Sequence, residues 1–153
     1  MVVAKEGEET KTGLSYRIAK DFSCLDYKGM AQEAVEEALS YLGAKSIKSN
    51  EYSAVLKNTV FADILSAFKS IFFADYVQKG LSLLKDKVGK QVAVSNFTLV
   101  DDPFNEDGLV INTFDDEGTA TKFNKIIENG ILRTYLYNWR SALKDGVEST
   151  GNG

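Results

Sequence analysis

Three consecutive carboxylates, Asp115, Asp116 and Glu117, followed by Gly118, are the residues whose types and spacing could most directly do chemistry. Neighbouring carboxylates repel and raise one another's pKa, which is how acid/base pairs are tuned. Along a strand, however, successive side chains point to opposite faces, so three acids in a row do not converge on one point. The simpler reading is a solvated turn in which Gly118 supplies dihedrals that other residues resist. A peptide or partner contact through Asp115, Asp116, Glu117 and Gly118 is one alternative; carboxylate catalysis is another.

The rest of the chain offers little competing chemistry. It has no histidine. The commonest general base near neutral pH, the commonest metal ligand and every Ser-His or Cys-His pair are therefore absent. One cysteine, Cys24, excludes an internal disulfide and a thiolate zinc cage. It reads as a structural thiol in a reducing cytoplasm. The loop DPFNEDG superficially suggests calcium, but placing Gly108 at the turn position of an EF-hand puts Pro103 at position 1 and Phe114 at position 12. No phosphate-loop or dinucleotide motif is present.

Composition bounds the partners. The 153 residues suit one domain with a real core, and the 44% hydrophobic and 26% charged content is ordinary for a globular protein. A net charge of −4 argues against direct nucleic-acid binding. No apolar run reaches membrane-spanning length, and MVVAKEGEE has neither the basic flank nor the apolar stretch of a secretory signal.

The elements that must position the acidic turn follow from periodicity. Val2–Lys5 and Leu14–Ala19 read as strands flanking EGEETKTG, with Leu14, Tyr16 and Ile18 on one face. Met30, Ala31, Ala34, Val35, Ala38, Leu39 and Leu42 recur at helical spacing, predicting an amphipathic helix over Tyr27–Leu42 stopped by Gly43, with a solvated acidic face. Tyr52–Leu56 reads as a short strand. Asn58 or Thr59 then caps a second helix whose stripe of Val60, Phe61, Ile64, Leu65, Phe68, Ile71 and Phe72 reads as core. That helix is expected to bend near Ala74 and resume over Asp75–Val88. Strands are expected at Val92–Val94, Phe97–Val100, Leu109–Phe114 and Thr119–Glu128. Asn129-Gly130 between apolar runs is a strong hairpin signal. Tyr135–Leu143 is a further helical candidate. The stretch Asp101–Tyr137, with Leu99 and Val100 leading in, thus reads as a β-meander.

Five segments, SNEYSAVL (Ser49–Leu56), FTLVDDP (Phe97–Pro103), FDDEGTAT (Phe114–Thr121), IIENGIL (Ile126–Leu132) and ESTGNG (Glu148–Gly153), together resemble the TldD/PmbA family. That family is named for modulation of DNA gyrase and described as zinc metallopeptidases that process peptides. The resemblance implies an α+β fold, an antiparallel β-meander sheet packed with two or three helices. It also implies a piece of a longer protein. Residues 1–43 would end its N-terminal region, and 44–153 would begin its C-terminal β-rich domain.

The catalytic subgroup carries His-Glu-x-x-x-His on the helix after the SNEYSAVL-like segment. Here Lys57, Asn58 and Ala62 stand at the two ligand positions and the glutamate position, with Asn58 in the place of the glutamate. The resemblance therefore implies a PmbA-like, non-catalytic subunit, without zinc or other cofactor of its own. Zinc is expected only in a TldD-like partner, whose peptide-binding cleft this chain would help form. Homo-oligomerisation is an additional expectation, and an interaction or regulatory module without a peptidase role is the alternative.

Overall fold

The computed structural model describes residues 1–106, 108 and 111–153. It is an α+β protein with two antiparallel sheets and forms two compact units, Met1–Ser53 and Ala54–Gly153.

In the first unit, β1 (Val2–Glu6) pairs with β2 (Glu9–Gly13), from Val2↔Gly13 to Glu6↔Glu9. The two-residue turn Gly7-Glu8 begins with Gly7 at φ 58°, a left-handed conformation that glycine adopts without a Cβ penalty. This corrects the expected second strand. The stretch read as a connector is itself β2, and Leu14–Ala19 is irregular, with Leu14, Tyr16 and Ile18 all exposed.

Helix α1 (Tyr27–Ser40) explains the difference. Its N-cap Asp26 accepts the Gly29 N–H at 2.9 Å. Ala34 and Ala38 are buried against β2, so close that a Cβ on Gly13 would lie 2.0 Å from the Ala34 carbonyl oxygen. Carboxylates of α1 then take up the following segment. Glu37 accepts the Leu14 N–H at 2.7 Å, and Glu33 accepts the Ser15 hydroxyl and pairs with Arg17. Part of the acidic face expected to be solvated is therefore structural.

In the second unit, α2 spans Asn58–Ala67. Its N-cap is Lys57, one residue before the expected cap, and Lys57 supplies no capping side-chain bond. The expected strand Tyr52–Leu56 forms no ladder among the described residues. Nor is the apolar stripe of α2 core. Val60, Phe61, Ile64 and Phe68 are exposed, while Leu65 and the downstream Ile71 and Phe72 reach the packed interior. A 3-10 turn over Lys69–Phe72 leads into α3 (Ala74–Gln78).

Helix α3 ends long before Val88, the expected limit. Gly80 (φ 75°) donates to the Val77 carbonyl and Leu81 to that of Tyr76, a Schellman termination. Beyond it, Ser82 donates to the Ile71 carbonyl at 2.6 Å and accepts the Leu84 N–H. Leu81 is exposed.

The second sheet is the expected meander, shortened. β3 (Leu99–Asp101), β4 (Asn124–Glu128) and β5 (Ile131–Leu132) pair in that order, with a register shift between Leu99 and Val100. Asn129 (φ 52°) and Gly130 (φ 79°) make the β4–β5 turn with both residues left-handed. Gln91 bridges Ile131 in place of the expected strand Val92–Val94. Of the expected strand Leu109–Phe114, Leu109 and Val110 lie outside the described residues. Ile111–Thr113 form no strand, and Phe114 bridges Ala120.

The core packs Ile126, Ile127 and Leu132 from the sheet against Phe72, Ala74, Val77, Tyr135 and Leu136. Helix α4 (Trp139–Asp145) starts with a capping box between Asn138 and Ser141 and ends at Gly146 (φ 68°). Gln78 of α3 donates to the Ser141 carbonyl at 2.9 Å, joining the two helices.

Candidate functional site

The acidic turn stays at the surface, with Asp115 half-buried, but it is tied down by hydrogen bonds. The Phe114↔Ala120 bridge holds its base, and Gly118 at φ 78° completes the reversal. Asp115 Oδ1 accepts the backbone N–H groups of Glu117 at 3.0 Å and Thr119 at 2.8 Å. Its Oδ2 accepts the Gly153 N–H at 2.8 Å. Desolvation alone would raise this carboxyl's pKa. The N–H groups of Gly153, Thr119 and Glu117 outweigh it and hold the pKa below the usual aspartate value.

Glu117 reaches in the other direction, accepting the Trp139 N–H at 2.7 Å in the first turn of α4. Its carboxyl also lies where a Cβ on Gly153 would fall. Asp116, Glu117 and Gly118 are all exposed. The acids sit in a turn rather than a strand, and two of them, Asp115 and Glu117, both meet Gly153. An ionised carboxylate saturated with N–H donors is an anchor, not a general base.

A second cluster lies beside the first. Asp101 Oδ2 accepts from Asn124 at 3.1 Å and Asn152 at 2.9 Å. Asn124, nearly buried in β4, also donates to the Lys122 and Thr150 carbonyls. Thr150 donates to Asn152 Oδ1 at 2.7 Å and accepts the Tyr137 N–H at 2.6 Å. Asp101, Asn112, Phe114, Asp115, Asp116 and Asn152 together line a cleft of about 300 Å³. Asp101, Asn124 and Asn152 were missed in the sequence. The available signal was a polar residue, Asn124, two positions before Ile126 and so on the same inward face of β4.

Lys57, Asn58 and Ala62 are all exposed at the start of α2. The Asn58 side-chain oxygen accepts the Thr59 N–H at 2.9 Å. An ammonium, an amide engaged by backbone and a methyl group are not a zinc donor set, which takes imidazole, thiolate or carboxylate. Among the described residues, no three His, Cys, Asp or Glu side chains are grouped to hold a metal. No helix among them is long and apolar enough to cross a membrane.

Comparison with known proteins places this geometry. Residues 49–153 match the family described as the PmbA/TldA metallopeptidase C-terminal domain. A metalloprotease of Methanocaldococcus jannaschii is 34% identical, with 99% of this chain covering 34% of that protein. A PmbA homologue of Buchnera aphidicola is 28% identical, again with 99% of this chain covering 34% of it. Among solved structures, a protein described as a candidate modulator of a DNA gyrase from Thermotoga maritima superposes with a TM-score of 0.93. It is 38% identical, over 99% of this chain and 35% of that one. TldE from Thermococcus kodakarensis gives 0.83 at 29% identity, over 99% and 34%. The chain belongs to the PmbA/TldD metallopeptidase family and spans about a third of the length of these relatives.

Proposed function

We propose that this chain is part of a PmbA-like subunit that contributes structure, not zinc chemistry, to a two-subunit peptide-processing metallopeptidase. The observation that carries the reading is the composition of the α2 start. Lys57, Asn58 and Ala62 stand where the catalytic subgroup has its ligands and general base, and none can serve there. Zinc would then reside in a TldD-like partner. This chain would help to wall the peptide cleft, with the exposed Asp116 a candidate contact for peptide or partner. The similarity to a protein named TldE supports membership of such a pair. Cytoplasmic placement accompanies the reading, in keeping with a single reduced cysteine.

The test is zinc titration of the full-length protein and of its partner, separately. The partner should bind zinc tightly and this protein only weakly. Tight stoichiometric zinc on this protein alone would refute the assignment.

A further inference from the structure

We propose that Asn152–Gly153 is a latent deamidation site, held unreactive by Asp115, Asp101 and Thr150. Asn-Gly is chemically the most exposed asparagine sequence, because glycine places no side chain beside the attacking nitrogen. The chain has two, Asn129–Gly130 and Asn152–Gly153. The fold treats them differently.

Closure forms a bond from the Gly153 nitrogen to Asn152 Cγ. The Gly153 N–H proton leaves with the side-chain nitrogen as ammonia, giving a five-membered succinimide. Water then adds to either imide carbonyl and opens the ring to aspartate or isoaspartate.

Every group in that step is engaged. The Gly153 N–H is bonded to Asp115 Oδ2 at 2.8 Å. Asn152 Nδ2 donates to Asp101 at 2.9 Å, and Asn152 Oδ1 accepts the Thr150 hydroxyl at 2.7 Å. Closure must turn the amide off both partners and rotate the Gly153 peptide plane off a carboxylate. Two of the three bonds are to charged groups, the stronger kind. At Asn129 the Gly130 nitrogen is bonded to the Phe97 carbonyl at 2.8 Å and the Asn129 N–H to Thr98 Oγ1 at 3.2 Å, and the residue is exposed. Conversion at Asn152 would place a new carboxylate beside Asp101 and release the segment that Asp115 holds. The site therefore couples chemical ageing to loss of the clasp.

The test is peptide mapping of the full-length protein after incubation in mildly alkaline heavy-oxygen water, reading deamidation at both asparagines. Asn152 should react about tenfold or more slowly in the folded protein than in the denatured one, the factor expected for losing one charged hydrogen bond. Asp115→Ala, and more weakly Asp115→Asn, should accelerate Asn152 and leave Asn129 at its wild-type rate. Asn129 reports whether a variant has opened globally. The proposal is overturned if folded wild-type Asn152 reacts at the denatured rate. It is equally overturned if either variant leaves Asn152 unchanged or accelerates both sites alike.

Discussion

The Asp115 carboxylate accepts the Gly153 N–H at 2.8 Å across 38 residues of sequence, tying the acidic turn to the ESTGNG segment. Asp116, its neighbour, is exposed. Asp115→Ala should therefore increase amide exchange at Thr119 and Gly153, whereas Asp116→Ala should leave both near wild type. Equal effects from the two substitutions would show that the turn is held by something other than this bond.

The same bond sets a pH dependence. The Asp115 carboxyl is depressed on folding, so its contribution is present above the unfolded value of about 4 and is lost as pH falls through the lower folded value. A carbon-detected titration should place the Asp115 midpoint below the ordinary aspartate value. Protection of the Gly153 amide should fall over the same acid range. An Asp115 midpoint at or above the ordinary value would contradict this.

Two glycines with nearly equal φ should respond unequally to alanine. Gly118 (φ 78°) has open space around a new Cβ, so Gly118→Ala should cost roughly 1–2 kcal/mol for the left-handed backbone alone. A Cβ on Gly130 (φ 79°) would sit 2.4 Å from the Ala93 carbonyl oxygen. Gly130→Ala should cost distinctly more, and chemical denaturation of both variants compares them directly.

Leu132 is fully buried at the centre of the second unit, and Leu132→Ala should destabilise it by about 2–5 kcal/mol. Asn124→Ala should cost about 1–3 kcal/mol, because it strips Asp101 and the Thr150 carbonyl of a donor at a nearly buried position. Denaturant midpoints at constant slope would measure both.

What could be read from the sequence follows from which forces are local. Helix α1 was legible because the alanine spacing marks its buried face and Gly43 lies just past its end, although the helix stops at Ser40 rather than Leu42. Asn129-Gly130 named its own turn. Leu14–Ala19 was misread because alternation was taken as burial, when Glu33 and Glu37 of α1 hold that segment instead. The α3 ending was marked by Gly80, but apolar residues continuing at helical spacing hid it. The network of Asp101, Asn124 and Asn152 spans 51 residues and had no local signature. The family motifs were legible as a set, and the acidic turn from its residue types alone.

The central claim is that this protein completes a peptidase whose zinc lies in its partner. Its most direct test is peptide hydrolysis by the full-length protein, by a TldD-like partner, and by the two mixed. The account predicts no hydrolysis by this protein alone and a marked increase when it is added to the partner. Hydrolysis by this protein alone, or a partner whose rate is unchanged by its addition, would contradict it.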